Sequence, residues 1–223
     1  MYESEQRWRD VDRYFIESLV DEGEALTTAR ETSHASGLPD HEITPNQGKF
    51  LSLLCLMVRA TRVLEFGTLG GYSTIWFAQA VGPKGHVTTL EMDPRCAEVA
   101  RRNFEQAGVA ERVDLRLGPA AEAAQELIDQ GTKPFDVIFI DADKPNNSVY
   151  LAASLALSRP GTIIIGDNVV RDGAVTDPRS DDPRVRGSRD LIECMGQDSR
   201  LAATALQTVG LKGWDGFAIA VVR

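Results

Sequence analysis

Phe135-Asp136-Val137-Ile138-Phe139-Ile140-Asp141-Ala142-Asp143-Lys144 and, further along, Gly161-Thr162-Ile163-Ile164-Ile165-Gly166-Asp167-Asn168 decide the reading of this chain. Each is a short apolar run, rich in β-branched residues, that stops at side chains bearing oxygen ligands. Tyr150 to Ser158 bridges them as a helix. Two strands joined in this way point the same way in a parallel sheet, so their carboxyl ends share one edge, where open α/β sheets bind ligands. Asp141, Asp167 and Asn168 then converge as an all-oxygen set suited to a hard divalent cation. Lys144 follows one turn of chain later as a candidate base.

The same alternation extends upstream. Arg62–Phe66, His86–Glu91 and Val113–Leu117 read as strands. Helices over Ser73–Val81, Pro94–Ala107 and Ala120–Gln130 follow them in turn. Downstream, a helix over Ser188–Met195 precedes two strands, Leu201–Val209 and Gly216–Val222. Their connection through Gly210-Leu211-Lys212-Gly213-Trp214-Asp215 is short enough to force an antiparallel hairpin. Repeated strand–helix units ending in a hairpin give an α/β, mostly parallel sheet with an antiparallel edge.

Ahead of this core, Trp8, Val11, Tyr14, Phe15, Leu19 and Val20 recur at helical spacing, so residues 5–32 read as one or two amphipathic helices. Residues 33–42 read as a loop. Thr44-Pro45 opens a helix running to about Arg59, with proline in its first turn and Gln47 available to a capping box. The arrangement is one domain over residues 1–223, with 1–42 as a helical cap and 43–223 as the core. Arg171–Arg186, rich in Asp, Arg, Pro and Gly, is the longest stretch expected to be flexible.

Composition bounds the function. The net charge is −9, from 24 Lys and Arg against 33 Asp and Glu, which disfavours a broad nucleic-acid face and suits a small substrate. The three cysteines, Cys55, Cys96 and Cys194, show no zinc spacing. The start Met1-Tyr2-Glu3-Ser4-Glu5-Gln6-Arg7 is charged, and no apolar run approaches the ~18 residues of a membrane span. A cytoplasmic location with no membrane partner is the expectation.

Between the first strand and its helix stands Glu65-Phe66-Gly67-Thr68-Leu69-Gly70-Gly71-Tyr72-Ser73. Leu69 breaks the GxGxxG dinucleotide fingerprint, and the stretch reads ExGxxxG instead. A carboxylate at Glu65 suits a ligand with an ammonium group, directly or through water, and repels pyrophosphate. Glu91, ending the second strand, is placed to accept both hydroxyls of a ribose. An aminated nucleoside such as S-adenosylmethionine fits these residues better than a nicotinamide dinucleotide. The plainer alternative is ordinary turn glycines beside a solvated acid.

With these motifs in order, the chain resembles the cation-dependent class I O-methyltransferases, the group that contains caffeoyl-CoA and catechol O-methyltransferases. The likeness spans roughly residues 40–223. It rests on Gln47-Gly48-Lys49-Phe50-Leu51, Glu65-Phe66-Gly67 with Gly71-Tyr72-Ser73, and Gly118-Pro119-Ala120. It continues through Phe135-Asp136, Asp141-Ala142-Asp143-Lys144, Gly166-Asp167-Asn168 and Asp215-Gly216. The resemblance implies a Rossmann-like, doubly wound, seven-stranded sheet with N-terminal helices added. It implies that Asp141, Asp167 and Asn168 hold a metal, usually magnesium, and that Lys144 is the catalytic base. It gives Ile43, Glu65, Gly67, Thr68, Gly71, Ser73, Glu91, Ala120 and Asp141 to S-adenosylmethionine. A homodimer and a phenolic acceptor with vicinal hydroxyls are implied as well.

Three departures fall on the acceptor side. Pro145-Asn146-Asn147 follows the lysine where the family often has Asp-Asn-Tyr. Arg171 stands where plant members carry Trp, and Ala218 follows Asp215-Gly216-Phe217 where the mammalian catechol enzyme carries Glu. Arg171 is expected either to face the acceptor and favour one with a carboxylate, or to be a solvated loop residue. His34, His41 and His86 show no ligand spacing; Trp8, Trp76 and Trp214 are expected to pack, with Trp8 a candidate wall of the acceptor pocket. Lys144 has a plainer reading too, a surface ion pair with Asp143. Three rival readings stand beside this one: an aminopropyl transferase, which needs no metal cage; a catalytically degenerate binding protein, disfavoured by the intact metal, base and cofactor positions; and a nicotinamide oxidoreductase, disfavoured by the loop pattern.

Overall fold

The computed structural model describes residues 5–223, so Met1-Tyr2-Glu3-Ser4 and the part of the charged start read from them lie outside the described residues. Helices α1 (Glu5–Leu19), α2 (Gly23–Ala35) and α3 (Pro45–Val58) precede strand β1 (Arg62–Phe66). Then come α4 (Tyr72–Ala80), β2 (His86–Glu91), α5 (Pro94–Gln106), β3 (Val113–Leu117), α6 (Ala120–Asp129) and β4 (Val137–Ile140). The chain finishes with α7 (Asn147–Ala156), β5 (Ile163–Asp167), α8 (Pro183–Gln197), β6 (Leu201–Gly210) and β7 (Gly213–Val222). The seven strands lie in the order β3-β2-β1-β4-β5-β7-β6. The first five are parallel, β7 is antiparallel to β5, and β6 is antiparallel to β7.

Strand alternation divides the core between the two faces of the sheet. Val63, Val87, Val137, Phe139, Ile163 and Ile165 pack under α2–α5. Leu64, Phe66, Leu90, Ile138, Ile140 and Ile164 pack under α6–α8. A strand covered on both sides must be apolar at every position, which is why the β4 and β5 segments read as unbroken hydrophobic runs. Each such buried Phe, Leu or Ile contributes about 1.5–3 kcal/mol relative to exposure.

Several boundaries differ from the sequence reading: α2 runs to Ala35, into the stretch 33–42 read as loop, and α7 starts at Asn147 rather than Tyr150. Helix α8 starts at Pro183 rather than near Ser188, because the Asp182 side chain caps it by accepting from the Arg184 N–H at 2.8 Å. The terminal hairpin is tighter than its composition suggests. Gly210 pairs with Gly213, leaving Leu211 and Lys212 as the turn, and Trp214 and Asp215 belong to β7. Helix α3 begins as expected, with the Thr44 hydroxyl accepting from the Gln47 N–H at 3.3 Å. None of the helices in the described residues is long and apolar enough to cross a membrane.

Register places the site. Phe66 pairs with Leu90 on one side and Ile140 on the other, and Ile140 pairs with Gly166. One residue further along, Glu91, Gly67, Asp141 and Asp167 therefore stand level, in a row across four neighbouring strands. Asp167 in turn pairs with Phe217 of β7. At ~4.8 Å per strand this row is roughly 14 Å long from Glu91 to Asp167. It straddles β1 and β4, where the strand order turns back and ligands of doubly wound sheets bind.

Candidate active site

A cavity of about 980 Å³ opens over that row. Gly67–Gly70, Tyr72, Ser73, Leu90–Met92 and Ala120 line one end; Gln47, Phe50, Arg171 and Asp215–Phe217 line the other. Ile43, Asp141, Lys144, Asp167 and Asn168 also face it. Of the residues given from sequence to the cofactor, the metal or catalysis, Glu65 and Gly71 are not in the wall.

Gly67 is what lets two strands meet here. Its φ is +93°, and a Cβ would lie 2.3 Å from the Asp141 carbonyl oxygen. A side chain at this position would push the cavity loop away from Asp141. Gly71, at φ +83°, precedes α4, and a Cβ there would strike the Phe104 ring at 2.4 Å. Its role is to seat the loop, not to line the cavity.

Glu65 lies fully buried behind the wall. Its Oε1 accepts from Ser73 at 2.5 Å, and its Oε2 from Thr74 at 2.5 Å and from its strand neighbour Thr89 at 2.7 Å. Burial pushes its pKa up to about 7 against the opposing pull of these three hydroxyls. Ser73 does face the cavity, and because its proton is directed at Glu65, its oxygen is free to accept from a ligand. Glu91 accepts four backbone N–H groups: Thr68 at 3.1 Å and Leu69 at 2.8 Å on Oε2, Met92 and Asp93 at 2.9 Å on Oε1. A carboxylate has about four acceptor directions. A ribose diol docking on Glu91 therefore shares them with backbone that the same side chain holds in place.

At the centre of the row the Lys144 Nζ donates to Asp141 Oδ1 at 2.8 Å, and 9% of the lysine side chain is exposed. The surface pairing with Asp143 does not form. Asp143 instead accepts from Tyr150 and from Asn146. Gly187 of α8 permits this burial, since a Cβ on it would lie 1.9 Å from the Lys144 carbonyl oxygen.

Asp167 is buried, and burial together with the charge of Asp141 raises its pKa, while Lys144 opposes that rise. The Gln47 side chain faces the same cavity and, like Lys144, works to keep Asp167 ionised. Asn168 follows in a left-handed conformation, φ +55°, which asparagine tolerates better than most residues. Two repelling carboxylates beside an amide oxygen, in a buried setting, are a donor set that a hard cation satisfies. Asp141, Asp167 and Asn168 thus fit a divalent ion on chemical grounds.

The roof over the cavity was not visible in the sequence. Asp12 of α1 accepts from the Leu211 N–H at 2.8 Å and from Asn46 at 3.1 Å, tying α1 to the β6–β7 turn and to α3. Phe15, not Trp8, is the aromatic of α1 that faces the cavity. Lys212 on the same turn donates to Asp40 Oδ1 at 2.5 Å. His34 lies beside Asp40 and 2.7 Å from Glu42, a grouping that spacing alone did not reveal. His34 and Asp40 are solvent-exposed, and Asp40 is already neutralised by Lys212.

Known proteins resemble this chain over nearly its whole length. The sequence profile described as O-methyltransferase matches residues 16–219. A catechol O-methyltransferase of Niastella koreensis is 45% identical over 218 residues, covering 98% of this chain and 99% of that protein. A catechol O-methyltransferase of Mycobacterium tuberculosis is 48% identical over 214 residues, covering 96% of each. The crystal structure of an O-methyltransferase from Bacillus cereus in complex with SAH superposes with a TM-score of 0.96 at 48% identity, covering 99% of this chain and 100% of that one.

Proposed function

Given that this chain belongs to the O-methyltransferase family and is an S-adenosylmethionine-dependent enzyme of it, we propose that it methylates one hydroxyl of a catechol-like small molecule in a cation-dependent reaction. The observation that carries the reading is the partly buried Asp141–Lys144 pair beside Asp167 and Asn168, in the cavity wall between the glycine loop and β7. S-adenosylmethionine supplies an electrophilic methyl group, and a cation on Asp141, Asp167 and Asn168, Mg²⁺ for preference, supplies Lewis acidity toward an acceptor oxygen.

The chain's own residues do the rest. Gly67 and Thr68 bring the backbone to the cofactor, Ser73 accepts from its ammonium group with Glu65 fixing the hydroxyl from behind, and Glu91 receives the ribose. Ala120 and Ile43 pack on the adenosine. Lys144 takes the proton of the acceptor hydroxyl, and Asp141 holds its Nζ in place. Much of the rate then comes from keeping the oxygen, the methyl carbon and the sulfur in line.

The chain is proposed to work as a homodimer. Support comes from exposed apolar side chains, Leu53, Leu56 and Met57 on α3 and Leu206 and Val209 on β6. A monomer by light scattering refutes that part.

The test of the function is calorimetric titration of S-adenosylmethionine, followed by methyl transfer to a panel of catechols and caffeoyl esters with Mg²⁺ or with EDTA. Cofactor binding with turnover that EDTA abolishes is the expected result. Turnover indifferent to EDTA removes the cation from the reading. Cofactor binding with no turnover on any vicinal diol removes the acceptor class.

A further inference from the structure

Five basic side chains line the cavity: Arg30, Lys144, Arg171, Arg184 and Lys212. Four have carboxylate partners at 3.3 Å or less. Arg30 pairs with Glu22, Lys144 with Asp141, Arg184 with Asp182 and Lys212 with Asp40. Arg171 does not. Its nearest carboxylate oxygen, Asp215 Oδ2, is 4.0 Å from Nη1, beyond hydrogen-bond range. Its side chain is only 23% exposed. A guanidinium has five N–H donors and does not deprotonate. Here those donors are largely withdrawn from water and meet no acceptor within hydrogen-bond distance among the described residues.

The backbone around it is strained in a way that fixes its direction. Arg171 and Asp172 both adopt the left-handed region, at φ +55° and +53°. Non-glycine residues occupy it at a cost, and consecutive pairs of them persist only where surrounding structure imposes them. That structure is visible. Asp215 Oδ1 accepts from the Val170 N–H at 2.9 Å and the Arg171 N–H at 3.1 Å. The Trp214 ring fits against Gly173 so closely that a Cβ there would lie 2.8 Å from it. The turn is therefore held by β7 from both sides and presents the arginine to the cavity.

We infer that Arg171 is a specificity residue that receives a carboxylate on the acceptor, so that the preferred substrates are aromatic vicinal diols carrying an acid group. The inference rests on the vicinal-diol reading above. Arg171 lies three positions along the chain from Asn168, so their Cα atoms are at most ~11 Å apart. A single aromatic ring with its diol at Asp141, Asp167 and Asn168 has its far-side substituent within reach of an arginine on that turn. A planar guanidinium matches a planar carboxylate through two parallel hydrogen bonds, which a neutral amide cannot reproduce.

The experiment compares protocatechuate, a catechol carboxylate, with its primary amide. Both are measured by equilibrium binding in the presence of S-adenosylhomocysteine and Mg²⁺ and by kcat/KM for methyl transfer. The wild-type protein is expected to favour the acid about tenfold to a hundredfold. In Arg171→Ala and Arg171→Gln that ratio falls toward one, and Arg171→Lys restores part of it. Gln keeps the side-chain length, so it reads the charge should the Ala protein fold poorly. A structural role for Arg171 would weaken acid and amide alike and leave the ratio unmoved. An unmoved ratio, or a wild-type protein that does not distinguish the two compounds, overturns the inference. Acid-selective binding that depends on Arg171 without any methylation upholds the anion site and overturns the vicinal-diol acceptor instead.

Discussion

Lys144 Nζ and Asp141 Oδ1 are 2.8 Å apart at the end of β4, in a setting that leaves 9% of the lysine side chain exposed. The pair joins the proposed base to a proposed cation ligand, and the same Asp141 backbone touches Gly67 of the cofactor loop. On the proposed reading, proton removal, cation and cofactor are organised from one residue. Lys144→Ala is expected to lower kcat about 10²–10⁴-fold, the usual range for losing a general base. Cofactor affinity, read by calorimetry, should change little. Full activity in this variant would remove Lys144 from the chemistry.

Asp167 supplies a second prediction. Burial and the neighbouring Asp141 charge disfavour its ionised form, and a bound cation reverses that. Ligands that bind only the folded state stabilise it, by about 2.7 kcal/mol at a hundredfold excess over Kd. For a chain of 223 residues this corresponds to roughly 5–10 °C in Tm. Thermal melts with increasing MgCl₂ should rise accordingly in the wild type and stay flat in Asp167→Ala. A wild-type Tm indifferent to divalent ions would argue against the cage.

Glu65 yields a pH dependence. Its pKa rises from an ordinary 4.5 to about 7 on folding, chiefly through burial. Between those values the folded chain keeps a proton that the unfolded chain has released. Stability from this group is therefore fully present below pH 4.5, declines as pH rises toward 7, and levels off above it. The upper bound on the change is on the order of 3 kcal/mol. Urea denaturation across this window should show the slope in the wild type and a flatter profile in Glu65→Gln. Equal slopes in both proteins would place the titrating group elsewhere.

The site was legible where it follows directly from strand ends. Asp141, Asp167 and Glu91 sit at the carboxyl ends of parallel strands, and equal register puts them in one row without further information. The orientation of Glu65 was not legible. Its Thr74 and Thr89 partners come from a helix and a neighbouring strand, and only packing shows that they enclose it. The roof was harder still, because it depends on Asp12 meeting Leu211 across almost the whole chain. In the terminal hairpin, Gly213, Trp214 and Asp215 look like loop by composition. Gly213 takes φ +86° so that a turn of Leu211 and Lys212 suffices, and the residues after it are released to β7. Arg171 showed its position in the sequence, but its lack of a close partner is a fact of the folded state alone.

The opposite edge of the sheet offers a control in which stability changes and chemistry does not. Asp136 begins the β4 segment and accepts on Oδ2 from the Thr61 N–H at 2.8 Å, the Thr61 hydroxyl at 3.1 Å and the Arg62 N–H at 3.0 Å. Its Oδ1 accepts from Arg159 at 2.6 Å. Burial works against its charge, but these hydrogen bonds outweigh it and hold the pKa below the ordinary carboxylate value. The stability it supplies is therefore present above its unfolded pKa and is lost as pH falls through the lower folded one. Asp136→Ala leaves two backbone N–H groups near the start of β1 without their acceptor, and should cost about 2–4 kcal/mol in urea denaturation at neutral pH. The difference from wild type should shrink toward acid pH. kcat per folded molecule should be retained, since Asp136 stands at the amino end of the strand whose other end carries Asp141. A proportional loss of kcat in a fully folded Asp136→Ala protein would mean that the two edges of the sheet are coupled.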